Sequence, residues 1–136
     1  MGRLCMDTPQ KNASDLKGKS GIHRLMNATR YSWQGYKAAW QTEEAFRQEA
    51  ILAMIMIPVA ILLPLELLEK LLMISTVVLV VIVEIINSAI EATIDRFGNE
   101  IHPLSGKAKD LGSGAVLLAL LLCGGVWISI LINRFF

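Results

Sequence analysis

Charged residues are scarce in this sequence, which has only 13 lysines and arginines and 12 aspartates and glutamates among its 136 residues. The formal net charge of +1 argues against the broad basic surface that nucleic-acid binding requires. Cysteine is also rare, and Cys5 in a polar segment and Cys123 in an apolar run predict neither a disulfide framework nor a zinc site. The remaining composition is 54% apolar, which indicates a membrane domain.

Residues 1–20 lack the apolar core of a signal peptide, and we interpret them as a flexible N-terminal tail. Residues 13–20 fit a relaxed P-loop pattern, but the segment before them is polar. A P-loop needs a buried strand at that place, so we reject this interpretation. Residues 21–136 are then predicted to form a single membrane domain.

Three long apolar segments follow, and each is long enough to cross a bilayer as a helix. The predicted spans are about 50–66, 70–95 and 112–133. Pro58 and Pro64 predict that the first span bends, or ends near Pro64. Most lysines and arginines precede the first span or lie between the second and third. The positive-inside tendency therefore predicts a multi-pass membrane protein with a cytoplasmic N-terminus.

Apolar and aromatic residues recur at helical spacing before the first span, where we predict a helix at about 22–46. One face of that helix would carry Ile22, Leu25, Met26, Thr29, Trp33, Tyr36 and Trp40. The basic residues Arg24, Arg30 and Lys37 fall off this stripe, a pattern typical of an amphipathic helix in the lipid headgroup layer. The alternative is a helix that packs on its neighbours.

The second span carries polar residues where a membrane helix normally avoids them. Glu84, Asn87 and Glu91 fall on one helical face, and Ser88 lies close by. An acidic residue at the centre of a membrane helix costs roughly 2.5 to 3.5 kcal/mol, so such groups usually face a site or a partner. We call these four residues the polar seam. The polar seam predicts a functional site, although it could instead join helices by hydrogen bonds.

More polar residues gather at the predicted cytoplasmic ends of the spans. They are Glu43, Glu44, Arg47, Gln48 and Glu49 before the first span, and Asp95, Lys107, Lys109 and Asp110 between the second and third. Clustered carboxylates suit Mg²⁺, which is commonly held by one or two carboxylates plus substrate phosphates. A carboxylate at the lipid boundary could also accept a proton from an attacking hydroxyl. The pattern fits phosphoryl transfer, but it equally allows a small cation transporter.

Six short segments carry a more specific pattern between about residue 24 and the end of the chain. They are residues 31–33, 38–40, 45–49, 84–91, 95–96 and 104–110. Their order and spacing resemble the bacterial integral-membrane diacylglycerol kinase family. The resemblance implies an all-α membrane protein, with three transmembrane helices per subunit and an N-terminal amphipathic surface helix. It also implies a homotrimer whose active sites are shared between subunits near the cytoplasmic face.

The resemblance further implies ATP- and Mg²⁺-dependent phosphorylation of the diacylglycerol hydroxyl. Glu84 would be the base that activates the hydroxyl, Asn87 would orient the bound group, and Glu43 and Glu91 would hold the metal. The nucleotide would be bound by Arg24, Tyr31, Glu43, Glu91, Glu100, Ile101, His102, Lys109 and Asp110. The lipid would lie against Arg24, Thr29, Ser32, Trp33, Lys37, Trp40, Phe46, Arg47, Gln48, Glu49, Glu84 and Ser113.

Two other functions remain open at this point. Close relatives of such kinases phosphorylate undecaprenol, and the apolar spans do not distinguish two acyl tails from one long prenyl chain. A non-enzymatic helix bundle with a structural polar seam is the alternative of a different class. Phosphorylation assays with both lipids discriminate among these three functions.

Overall fold

The computed structural model describes residues 21–98 and 100–136, and within those ranges the secondary structure is helical. The helices are α1 (Ile22–Thr42), α2 (Glu44–Leu62), α3 (Leu67–Asp95) and α4 (Pro103–Phe135). The all-α prediction is therefore confirmed. The predicted tail at residues 1–20 lies outside the described residues.

Helices α2, α3 and α4 are each long and apolar enough to cross a membrane, so the three predicted apolar helices are present. α2 contains Pro58 and ends at Leu62, two residues before Pro64, as the prolines predicted. Pro58 has no N–H to donate to the preceding turn, a loss that neighbouring helices can offset inside a bilayer. α3 ends at Asp95, where the second span was predicted to end.

The boundary between the first two helices differs from the prediction. α1 ends at Thr42 rather than near residue 46, and α2 begins at Glu44 rather than near residue 50. The break is at Glu43, whose extended backbone (φ −113°, ψ 105°) interrupts the helical path. Hydropathy locates only the apolar part of a helix, so the polar first turn of α2 was assigned to the wrong element.

α4 begins at Pro103, well before the predicted start near residue 112. Its first turn has the features of a helix N-terminus, because Pro103 occupies a first-turn position and the His102 side chain accepts a hydrogen bond from the Leu104 N–H (3.1 Å). The polar residues that follow therefore extend a membrane helix. They do not form a loop.

α3 is the central helix of the three, since it packs against both α2 and α4. The contact is made by small or compact apolar side chains and one large aromatic. The buried set is Ala53, Ala60, Leu65, Met73, Val77, Val80, Ala119, Cys123 and Trp127. Many larger apolar side chains on these helices are exposed, as expected for surfaces that face lipid or other chains.

The chain forms two compact units, one that ends at Ala38 and one that comprises Ala39–Phe136. The first contains most of α1, which has no buried residue. The second contains the three long helices and is the unit in which the polar seam lies. We describe each unit by itself.

Candidate active site

The polar seam lies at the end of the bundle where α2 begins, α3 ends and α4 begins. Successive helices run in opposite directions and pack side by side, so charged residues that are distant in sequence meet at this end. The opposite end holds the turn between α2 and α3. We call the first the seam end and the second the turn end.

Glu84 occupies the interior of the seam end, and only 3% of its surface is exposed. Its carboxylate lies near enough to Glu49, Glu91 and Glu43 for electrostatic repulsion with each of them. The described residues provide no hydrogen bond to this carboxylate. Glu43 and Glu49 from the start of α2 and Glu91 from the end of α3 thus lie within electrostatic range of Glu84.

Asn87 lies one turn further along the same face of α3 and is 8% exposed. Its Nδ2 donates a hydrogen bond to Glu91 Oε1 at 3.3 Å, which links two of the predicted site residues. Its Oδ1 is buried and has no hydrogen-bond partner among the described residues, and the neighbouring Ser88 Oγ is in the same state. Buried polar atoms without a hydrogen-bond partner are uncommon in native proteins and often mark a functional position.

Lys109 joins the seam through α4. Its Nζ donates to Asp95 Oδ1 at 2.8 Å and also interacts electrostatically with Glu91. Both members of the ion pair are partly exposed, at 44% for Lys109 and 66% for Asp95, so the pair itself contributes little to stability. It does fix a cation beside the carboxylates, where a phosphate would need one.

The first turn of α2 supplies the rest of the seam end. Glu43 is half-buried at the N-cap position, and its side chain makes no capping hydrogen bond, so the carboxylate remains available. Arg47 donates from Nη1 to the backbone oxygens of Trp40 (2.9 Å) and Gln41 (3.4 Å), which ties the first turn of α2 to the end of α1. Phe46 is buried, whereas Gln48 is exposed.

Other predicted nucleotide residues lie in the connection between α3 and α4 or just beyond it. Glu100 and Ile101 are exposed, and His102 acts as the N-cap of α4. Asp110 and Ser113 are exposed on α4. These five residues are not linked by hydrogen bonds to the buried seam within the described chain, and their ligand roles stay predictions.

The predicted site residues of α1 belong to the first unit, apart from Trp40. Arg24, Thr29, Tyr31, Ser32, Trp33 and Lys37 all lie on this helix and are exposed. Thr29 Oγ1 donates to the Leu25 carbonyl oxygen at 2.9 Å, and the Arg30 guanidinium lies 5.5 Å from the centre of the Tyr31 ring. The helix is confirmed, while its place in the headgroup layer stays a prediction.

The metal prediction involves two carboxylates, and the described residues contain no group of three or more His, Cys, Asp or Glu side chains that could hold a metal ion. Mg²⁺ does not require one, because it is commonly held by one or two carboxylates together with waters and substrate phosphates. The hard oxygen donors of Glu43 and Glu91 fit that chemistry. The metal roles of Glu43 and Glu91 stay predictions.

Sequence reasoning missed two residues that shape this site. Gly112 lies directly against the Asn87 carboxamide, and Asp95 orients Lys109, although no role was assigned to either. Both contacts join α3 to α4, and sequence patterns do not specify how two helices are aligned. The one available signal was His102-Pro103, because a proline at this place is typical of the first turn of a helix. It would have predicted that α4 begins before Lys109.

Three helices long and apolar enough to cross a membrane, with acidic side chains near one end, are compatible with the class of integral membrane proteins. The chain belongs to the prokaryotic diacylglycerol kinase family, whose sequence profile matches residues 30–131. It is 47% identical to the diacylglycerol kinase of Escherichia coli over 116 residues, which cover 85% of this chain and 95% of that protein. Identity to the diacylglycerol kinase of Pseudomonas aeruginosa is 49% over 120 residues, 88% of this chain and 98% of that protein. The diacylglycerol kinase of Helicobacter pylori is 43% identical over 116 residues, 85% of this chain and 91% of its relative.

Proposed function

We propose that this protein is an ATP- and Mg²⁺-dependent kinase that phosphorylates the free hydroxyl of diacylglycerol to give phosphatidic acid. The observation that carries the proposal is that Glu43, Glu49 and Glu91 lie within electrostatic range of the buried Glu84, and that Lys109 interacts with Glu91. Family membership supports the same function. A purely structural seam would leave fewer acidic groups without partners, because helices joined by polar residues satisfy them mutually.

An apolar cleft supports a lipid as the acceptor. The cleft has a volume of about 200 Å³ and lies among the three long helices, with Met56 of α2, Val80 of α3 and Trp127 of α4 in its lining. Glu49 also lines it, so the cleft reaches the acidic cluster. A lipid could enter sideways from the bilayer, while the nucleotide arrives from water. The two substrates would then meet at the boundary between the two solvents.

In the proposed reaction, Glu84 accepts the proton of the lipid hydroxyl as its oxygen attacks the γ-phosphorus of ATP. The new P–O bond forms while the bond from the γ-phosphorus to the β–γ bridging oxygen breaks, and ADP leaves. Mg²⁺ would neutralise charge on the phosphates, held by Glu43 and Glu91, and Lys109 would contribute a further positive charge. Positioning and electrostatic stabilisation supply most of the rate enhancement in phosphoryl transfer of this kind.

The remaining parts of the proposal concern assembly and membrane placement. We propose a homotrimer with active sites shared between subunits, and an orientation in which the N-terminus and the seam end face the cytoplasm of the bacterial inner membrane. α1 would lie in the headgroup layer. The unequal distribution of lysine and arginine supports the orientation. The many exposed apolar side chains on the long helices are compatible with helix contacts between subunits.

The direct test is phosphate transfer from labelled ATP by the purified protein in mixed micelles. We expect labelled phosphate in diacylglycerol, dependent on Mg²⁺ and absent in Glu84→Gln. Undecaprenol is assayed in parallel under identical conditions. Faster transfer to undecaprenol would replace the acceptor in this proposal, and no transfer to any lipid alcohol would overturn the kinase function.

A further inference from the structure

The Asn87 carboxamide is held in an unusual way. Its Nδ2 has a partner in Glu91 Oε1, but its Oδ1 is buried without one among the described residues. The terminal torsion of asparagine is broad, so one 3.3 Å hydrogen bond does not by itself fix the plane of the amide. Another contact must therefore select this orientation.

That contact is with the backbone of α4 at Gly112, which is buried. A Cβ atom on Gly112 would overlap Asn87 Oδ1, and it would lie 3.3 Å from Asn87 Cγ and 3.9 Å from Asn87 Cβ. The carboxamide thus occupies the space that any other side chain at position 112 would take. The fit is specific to the amide end of Asn87, since its Cβ is at an ordinary contact distance.

We propose that Gly112 is a positioning residue, which sets the orientation of the Asn87 carboxamide and thereby its hydrogen bond to Glu91. This inference rests on the proposed function only where it predicts turnover. Glycine inside a helix costs about 1 kcal/mol relative to alanine, so a position that requires it offsets that cost by another benefit. Here the benefit is room for an amide beside the acidic cluster.

The overlapping atoms are at the end of a flexible side chain. An added methyl group at position 112 can therefore be accommodated by rotating Asn87 while the helices stay in place. The expected effect of Gly112→Ala is a folded protein whose carboxamide has moved and whose bond to Glu91 is lost. A displacement of about 1 Å near the reacting groups can reduce turnover by about a hundredfold.

The same helix supplies a matched control. Gly114 is two residues away, and a Cβ added there meets nothing within 4 Å in the described chain. Gly112→Ala and Gly114→Ala make the same chemical change and give the same gain in helix propensity. We expect Gly112→Ala to lower kcat by about a hundredfold, with little change in the KM for ATP or in the KM for the lipid. Gly114→Ala should retain near wild-type turnover.

A double-mutant cycle separates positioning from a general packing defect. In an Asn87→Ala background the colliding oxygen is gone, so adding Gly112→Ala should lower kcat no further. Equal fold-losses in both backgrounds would overturn the proposal, as would a Gly112→Ala variant as active as Gly114→Ala. If Gly112→Ala alone fails to fold, Asn87→Ala/Gly112→Ala should restore folding, and its failure to do so would also count against the proposal.

An activity-independent readout keeps this inference distinct from the kinase proposal. With ¹⁵N-labelled asparagine in detergent micelles, Gly112→Ala should shift the side-chain amide signal that Asn87→Ala removes. Gly114→Ala should leave that signal in place. A shift without lipid phosphorylation by wild-type protein would retain the positioning role and reject the kinase. An unshifted signal would reject the positioning role whatever the activity.

Discussion

The two ends of the α2–α3–α4 bundle differ in how their polar side chains are used. At the turn end, Lys70 Nζ donates to the Ile61 carbonyl oxygen at 2.6 Å, and Arg134 Nε donates to the Pro64 carbonyl oxygen at 3.4 Å. Glu66 and Glu69 form a capping box at the start of α3. These charged groups thus bind backbone groups that helix ends would otherwise leave unpaired.

At the seam end the charges are not used in this way. The Glu84 carboxylate has no hydrogen bond to a described residue, and Asn87 Oδ1 and Ser88 Oγ are buried without partners among those residues. Leaving a buried polar atom unpaired costs about 1 to 3 kcal/mol. Polar groups without partners are found mainly at functional sites, where a ligand can supply the missing partner. The contrast is the one that the proposed function predicts, in which the turn end stabilises the bundle and the seam end binds the substrates.

The largest expected effect tests this contrast with the same substitution at both ends. Glu84→Gln should lower turnover by about 10² to 10⁴-fold while the protein stays folded, because it removes the proposed base and keeps the shape. Glu69→Gln at the turn end should leave turnover near wild type, since glutamine can still accept the capping bond. Steady-state phosphorylation and circular dichroism measure the two properties. Near-normal activity of Glu84→Gln would remove it as the base.

A smaller but more selective effect is expected at Glu91. Glu91→Gln should raise the Mg²⁺ and ATP concentrations needed for half-maximal rate by at least about tenfold, a loss usual even for an outer-shell partner of a metal. The KM for lipid should change little, because the metal contacts phosphate and not the acyl chains. Titrations of each substrate at saturating levels of the other provide the measurement. A change confined to the lipid KM would contradict the metal role.

The buried contact between Trp127 of α4 and Met73 of α3 should stabilise the helix bundle. Trp127 Nε1 donates to the Met73 carbonyl oxygen at 3.1 Å, and both groups are buried. Trp127→Phe should lower the free energy of unfolding by about 1 to 3 kcal/mol, since it removes the donor and leaves an acceptor with fewer partners. Unfolding in a detergent titration reports the change. A greater relative loss of turnover than in Glu84→Gln would reverse the assignment of the two ends.

Lys70 should give the smallest effect. Lys70→Met removes a cation beside the last carbonyls of α2 and keeps most of the aliphatic side chain, so we expect a loss of about 0.3 to 1 kcal/mol in stability. Turnover should be unchanged. The same unfolding titration and phosphorylation assay measure both properties. A large drop in turnover for Lys70→Met would mean that the turn end also contributes to function.

The sequence predicted the spans and the seam well because each depends on residues within one helix. Apolar length defines a membrane helix, and the 3.6-residue period places Glu84, Asn87 and Glu91 on one face. Hydropathy does not detect a polar extension of a helix, so the predicted span at about 112–133 did not reveal that α4 begins at Pro103. The ligand roles of the site residues stay predictions, because they follow from family resemblance.

The contacts between helices were beyond prediction. Lys109 and Asp95 are 14 residues apart and on different helices, and nothing in their local sequence pairs them. The same holds for Gly112 against Asn87, and for Trp127, whose partner carbonyl is 54 residues away. Each depends on how far one helix is shifted and rotated relative to the next.

The sequence by itself determined which segments are long and apolar enough to cross a membrane and that acidic groups are retained within one of them, because local composition and periodicity are properties of a single helix. Only the tertiary structure decided which carboxylates meet, which lysine joins them and where a glycine makes room for an amide. The physical reason is that side-chain packing between helices sets their register, and this packing depends on residues far apart in the chain.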